Sequence, residues 1–352
     1  MRIQQLVPPL SADLAQALQE IGIKTDTDLL LAHDPLTIFA KLPAGHGVSL
    51  RQFRDALAQV AELASAPVAY GDKLFEQEMK RQEDIYVEDM LLGVPEVDAL
   101  LGGFNPPRVI ELSGDAGSGK TALALQVALR HLTRTANSSV LWIDTGGEFS
   151  PERVALLVEK LEGPYSTTAL ERLQVSLAFD IEAAHEVLEA VRQALSAAAD
   201  SDAAGEVYDS ASASPVTRCI VVDSITSLLG PMLSATSSQG HAIMTTFMRQ
   251  LRAFADSFSL TILVINTSTK VGPRNTYVAN PEAVFETGRK PGLGPSFTFM
   301  TDTTLWLTRR SRDEQEGDAD STVHTAEVFR SRITRSKTWA PFRIRNGLLV
   351  SA

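Results

Sequence analysis

Cysteine is nearly missing from this sequence. One residue, Cys219, stands among 352, so an internal disulfide is excluded. It lies in an apolar run and reads as a small core residue, in a chain suited to a reducing interior. Long hydrophobic runs are missing too. No stretch supplies the roughly 18 uncharged apolar residues of a membrane-spanning helix, and the opening MRIQQLVPPL holds no apolar run of signal-peptide length. The expectation is a protein with no membrane association. The six histidines are scattered without ligand spacing, so no metal cluster built from protein groups alone is expected. Positive charge is short: 32 Lys and Arg against 43 Asp and Glu give a net charge of -11. That argues against a whole-surface affinity for nucleic acid and leaves room for a local basic groove. The rest, 44% hydrophobic and 21% charged, is ordinary for one large core plus a small domain.

Against this background the segment GDAGSGKT stands out. Gly114, Asp115, Ala116, Gly117, Ser118, Gly119, Lys120 and Thr121 fit the phosphate-loop pattern G-x-x-x-x-G-K-[ST]. The apolar run Val109 to Leu112 predicts a strand feeding the loop, and Thr121 to Leu132 predicts the helix leaving it. Glycines let backbone N–H groups wrap a phosphate, and a helix N-terminus adds its positive end. Lys120 is then placed for the β/γ-phosphates and Thr121 for Mg²⁺. A glycine turn that binds nothing is the bland alternative, and the strand–loop–helix context argues against it. Further on, the apolar strand Cys219 to Asp223 ends in an aspartate. Asp223 there is a candidate partner for the Mg²⁺.

Residues 1–66 predict a small helical unit. Ser11 caps a helix through Ile21, Thr27 a second over Leu29 to Leu31, and Ser49 with Gln52 forms a capping box for a third. Residues 67–90 are polar and charged and read as a linker, either extended or with one helical turn. From 91 to 352 strands alternate with helices, with strands expected over Val109–Leu112, Val140–Asp144, Leu173–Leu177, Cys219–Asp223, Thr261–Asn266 and Thr303–Leu307. Such alternation implies an α/β fold with a mostly parallel sheet and helices on both faces. Asp200 to Pro215 and Arg312 to Asp320 read as loops. After Val323 the pattern alternates, and Asn346-Gly347 signals a tight turn between strands.

The order LLGVPEVDALLGGF, phosphate loop, IDTGGEFSPER, LAFDIEAA, VVDSITSLL, LVINTSTK resembles the eukaryotic branch of the RecA family of recombination ATPases. The resemblance covers about Leu91 to Trp306. GIKTDTDLL, AFDI and KPGLGPSFTF are similar to segments of the family's D-type paralogues. It implies a RecA-like phosphate-loop ATPase core behind a small helical domain, ATP with Mg²⁺ as cofactors, and homologous-recombination DNA repair in the nucleus. The partners implied are related paralogue subunits in a hetero-oligomer that helps a recombinase load on single-stranded or branched DNA. It also carries Arg153 over as a residue that stacks on adenine, with a surface salt bridge as the plain alternative.

Three departures from the family pattern matter. The family's DTEGTF-like motif carries a glutamate that orients the attacking water. Here the segment is DTGGEF, with Gly146 at that position and Glu148 two residues on, about 6 Å away if extended. Lys120 and Glu148 are thus the candidates for catalysis, and weak, DNA-dependent hydrolysis is expected. Thr267 follows Asn266 where the family has a glutamine that couples nucleotide to DNA. The linker has no Phe-x-x-Ala, and Tyr70 is either a different aromatic anchor or an ordinary linker residue. By position, Lys270 to Lys290 corresponds to a DNA-binding loop. Lys270, Arg274, Arg289 and Lys290, with Tyr277 and Phe285, either track a single strand or belong to a solvated loop or subunit contact. Glu282 and Glu286 favour the second. Arg330 to Lys337 reads as outward sheet residues more than as a basic surface. An active strand-exchange recombinase and a scaffold with a vestigial nucleotide site remain alternatives; Gly146 and Thr267 weigh against the first, and Lys120, Thr121 and Asp223 against the second.

Overall fold

The structure, a computed structural model, describes residues 2–7, 9–32, 34–43, 47–65, 70–84, 90–203, 215–233, 238–270, 289–309 and 322–352. The chain divides into two compact units, Met1–Tyr86 and Val87–Ala352. In the first, α1 (Ala12–Glu20), α2 (Pro35–Lys41) and α3 (Leu50–Ala64) gather Ile3, Leu18, Ile38, Phe53 and Val60 into a core. Ser11 Oγ accepts from Leu14 N at 3.2 Å and starts α1. Ser49 Oγ accepts from Gln52 N at 3.3 Å and Gln52 Oε1 from Ser49 N at 2.8 Å, the expected capping box.

The second helical start is built differently from the expectation. Thr25 Oγ1 accepts from Asp28 N and Asp28 Oδ2 from Thr25 N, each at 3.1 Å, and they open a single π-helical turn, Asp28–Ala32. Thr27 instead donates its hydroxyl to Asp26 at 3.4 Å. The reciprocal Thr25–Asp28 pair satisfies two backbone donors at once, which Thr27 alone cannot do. Where polar composition suggests a linker, α4 (Gly71–Asp84) is helical. Glu, Lys, Gln and Arg are good helix formers. Tyr70 just before it and Phe75 within it stand exposed.

The second unit opens with α5 (Pro95–Leu101) and is dominated by a ten-stranded sheet. Its elements are β1 (Arg108–Gly114), α6 (Lys120–Arg134), β2 (Ser138–Asp144), α7 (Pro151–Lys160), β3 (Leu173–Leu177), α8 (Ile181–Ala203), β4 (Val216–Asp223), α9 (Ile225–Leu229), α10 (Gln239–Phe258), β5 (Thr261–Lys270), β6 (Arg289–Pro291), α11 (Pro295–Thr298), β7 (Thr303–Arg309), β8 (Val323–Ser331), β9 (Trp339–Arg345) and β10 (Leu348–Ser351). Strand order is β10-β9-β8-β7-β1-β5-β4-β2-β3, with β6 added to the end of β5. From β7 through β3 the neighbours run parallel; β7–β10 and the β5–β6 pair are antiparallel. Asn346 and Gly347, both at positive φ, make the β9–β10 turn.

Alternation along each strand explains the two cores. Val140, Trp142, Cys219 and Val221 face α6 and α7, whereas Leu141, Ile143, Ile220 and Val222 face α8 and α10. Each such Val, Leu or Ile side chain contributes about 1.5–3 kcal/mol on burial. Burial also pushes the Cys219 thiol up to about 12. Most of Asp200 to Pro215, and all of Arg312 to Asp320, lie outside the described residues; α8 takes 200–203.

One buried group makes this fold pH-sensitive. His131 on α6 is 4% exposed, and burial, with Arg172 and Arg218 nearby, pushes its imidazole from 6.5 down to about 4. The unfolded chain takes up this proton near pH 6.5 and the folded chain does not. The stability tied to neutral His131 is therefore complete above pH 6.5 and is lost as pH falls toward 4. The expected loss is on the order of 3 kcal/mol, and urea unfolding of His131→Leu should show a flatter pH dependence across that window.

Candidate functional site

Parallel pairing carries the ends of β1, β5, β4 and β2 to one edge of the sheet. Gly114 lies across from Thr267, and Asp223 across from Asp144. The phosphate loop turns there because Gly114, at φ +146°, leaves no room for a side chain: a Cβ would sit 2.2 Å from Leu307 O. Lys120 opens α6 and curls back, donating from Nζ to Gly114 O at 2.9 Å and Asp115 O at 2.7 Å. Burial holds its ammonium below the ordinary lysine range. Asp115 and Asp223 work against that and Arg289 adds to it. Thr121 Oγ1 donates to Asp223 Oδ2 at 3.0 Å, joining residues far apart in sequence. Burial pushes the Asp223 carboxyl up to about 6, even though the Thr121 bond pulls the other way.

These donors fit Mg²⁺ and a nucleotide triphosphate. A hydroxyl and a carboxylate are hard oxygen ligands of the kind Mg²⁺ takes alongside phosphate and water. Among the described residues no group of three or more His, Cys, Asp or Glu converges, so phosphate and water would complete the shell. Ser118 Oγ is buried in the loop without a hydrogen-bond partner. Gly114 to Thr121 would wrap the phosphates, with Lys120 supplying charge.

The strand ends are braced to one another. Thr145 Oγ1 donates to Ser224 O at 3.0 Å and accepts from Ser224 N at 2.7 Å, and Thr145 N donates to Asp223 O at 2.9 Å. Asp144 shapes the turn that follows β2. Its Oδ1 accepts from Gly146 N at 3.0 Å and Gly147 N at 2.8 Å, and its Oδ2 from Phe149 N at 2.9 Å. Burial pushes its carboxyl up, but these N–H groups outweigh that and hold it below the usual range. Gly146 is thus presented on a fixed turn. The Glu148 side chain folds over it, its Cγ 3.6 Å and Cδ 4.0 Å from where a Gly146 Cβ would lie.

Sequence reasoning missed Glu111. It is fully buried in mid-β1, accepting from Asn266 Nδ2 at 2.7 Å and Thr304 Oγ1 at 2.8 Å, and burial raises its carboxyl. Asn266 Oδ1 accepts from Thr226 Oγ1 at 2.9 Å, and Thr226 Oγ1 accepts from Thr267 N at 2.8 Å. The chain beyond Asn266 is therefore pinned to α9. The signal was a single charge inside the apolar run VIELSG.

The other candidate residues are spread out. Arg153 is exposed on the first turn of α7. Lys270 and Lys290 are exposed on the β5–β6 hairpin, and Arg289 joins Asp115 of the phosphate loop, Nε to Oδ1 2.6 Å. Arg274, Tyr277, Phe285 and the two glutamates near them lie outside the described residues. Arg330 turns toward protein: it donates to Thr298 O at 2.9 Å and Thr301 O at 3.2 Å and lies 4.4 Å over the Phe299 ring.

A phosphate loop leaving the central strand of a mostly parallel sheet, with a strand-end aspartate bonded to its threonine, defines a phosphate-loop α/β protein. The Rad51 family model matches residues 80–316. The DNA repair protein RAD51 homolog 4 of Bos taurus is 31% identical over 86% of this chain and 83% of its own. Its Mus musculus counterpart is 27% identical over 86% and 82%. The crystal structure of the RadB recombinase superposes with a TM-score of 0.54 at 22% identity, covering 75% of this chain and 99% of that one, which speaks to the fold. The chain belongs to the Rad51 family.

Replacing Asp144 by Asn removes the charge that three N–H groups point at. A loss of about 1.5–3 kcal/mol is expected, read as a lower midpoint in denaturant with an unchanged slope.

Proposed function

We propose that this Rad51-family chain binds Mg²⁺-ATP through Lys120, Thr121 and Asp223 and hydrolyses it slowly. It would serve homologous-recombination repair in the nucleus as one subunit of a hetero-oligomer of related paralogues, helping a recombinase load on single-stranded DNA. The Thr121–Asp223 hydrogen bond beside Lys120 carries the binding half of this reading. The hydrolysis half rests on Gly146, which offers no carboxylate where the family resemblance expects one. The names of the relatives support the repair role. Residues 1–66 act as the helical module, 67–90 as its connection and 91–352 as the ATPase core.

In this reading Lys120 leaves its carbonyl partners for the β/γ-phosphates, and Thr121 and Asp223 would hold Mg²⁺, which would neutralise phosphate charge. Arg153 lies against adenine, and Lys270 and Lys290 meet DNA phosphates. Nucleotide held at a subunit boundary stabilises the assembly by mass action.

The position of Glu148 supports a second reading, an active DNA-dependent ATPase. Its carboxylate hangs over Gly146 and its charge is felt by Asp223. Glu148 would then orient the attacking water.

Single-turnover hydrolysis, with and without single-stranded DNA, separates the two. Lys120→Ala should lose ATP affinity by roughly tenfold or more. Gly146→Glu should speed hydrolysis by about 100-fold. Rapid wild-type turnover abolished by Glu148→Gln would replace the first reading with the second. ATP binding that is absent, or indifferent to Lys120, would sink both.

A further inference from the structure

Arg289 opens β6 and lies across from Lys270. Besides its contact with Asp115, its Nε donates to Ser268 Oγ at 2.9 Å and its Nη2 to Ser268 O at 3.3 Å. Ser268 Oγ in turn donates to Asp115 Oδ1. One residue of β6, one of β5 and the second residue of the phosphate loop thus share a polar cluster. The seat is firm. Gly292 N donates to Thr267 O at 2.7 Å, and a Cβ on Gly292 would lie 2.6 Å from that oxygen, so only glycine lets the chain after β6 lie this close.

The charges in the cluster are arranged for a ligand. Asp115 puts a carboxylate into a loop built to wrap an anion, and Arg289 neutralises it. Lys120 reaches the same residue through Asp115 O at 2.7 Å. The two cations are close enough for Arg289 to disfavour the charged form of Lys120. A polyphosphate between them removes that repulsion and offers the guanidinium a forked acceptor that fits its geometry.

We propose that Arg289 is a phosphate ligand supplied in cis by β6. When a nucleoside triphosphate enters, the guanidinium exchanges Asp115 for the terminal phosphate and ties β6 to the nucleotide state. This rests on the nucleotide-binding reading above.

The test is ATP and ADP affinity for wild type, Lys120→Ala, Arg289→Ala, Asp115→Asn and the Arg289→Ala/Asp115→Asn double variant. Arg289→Ala should weaken ATP by about tenfold or more and ADP much less. Asp115→Asn should tighten ATP, and the double variant should bind ATP more weakly than Asp115→Asn alone. A double variant matching Asp115→Asn would reduce Arg289 to a neutraliser of Asp115 and overturn the proposal. So would equal losses for ATP and ADP, which report a damaged loop. Wild-type binding that depends on Lys120 and is untouched by Arg289→Ala overturns this proposal alone. Wild type that binds neither nucleotide overturns the nucleotide reading with it.

Discussion

Parallel pairing of β1, β5, β4 and β2 is the constraint on which the rest depends. Parallel neighbours all end on the same side, and each must be covered by helices on both faces. The chain meets the second demand with strands whose two faces are both apolar. The first demand then fixes the site: the phosphate loop, Asp223, the Asp144 turn and the end of β5 meet at one edge without any contact having to pull them there. The hydrogen bonds among them refine a juxtaposition that topology has already made.

Much of this was legible in the sequence, for identifiable reasons. Buried parallel strands read as short apolar runs, so Val140 to Asp144 and Cys219 to Asp223 could be located, and the phosphate loop has a spacing that few other structures need. Capping by Ser11 and Ser49 is local chemistry and could be read the same way. The Thr25–Asp28 pair was harder because two threonines lie close enough to compete for one turn. α4 was hidden because composition separates polar from apolar and says little about helix against coil in a charged stretch. Glu111 and the partner of Arg289 were out of reach for another reason: their contacts join residues more than 150 apart in the chain, and no local pattern encodes a partner.

The chain is acidic, yet its phosphate loop is ringed by Lys120 and Arg289, with Thr121 and Ser118 as neutral donors. Acid is placed there with equal care. Asp144 is spent on backbone N–H groups, Asp223 on Thr121, and Asp115 on Arg289. Each of these three carboxylates has a donor in place.

Cys219 has a practical consequence of its own. The chain's one sulfhydryl is sealed in mid-sheet with its ionisation far above neutral pH, so maleimides and similar reagents meet a surface without a target. A cysteine introduced at an exposed position, such as the first turn of α7, becomes a single addressable point for a fluorophore or spin label, with no native residue to remove first.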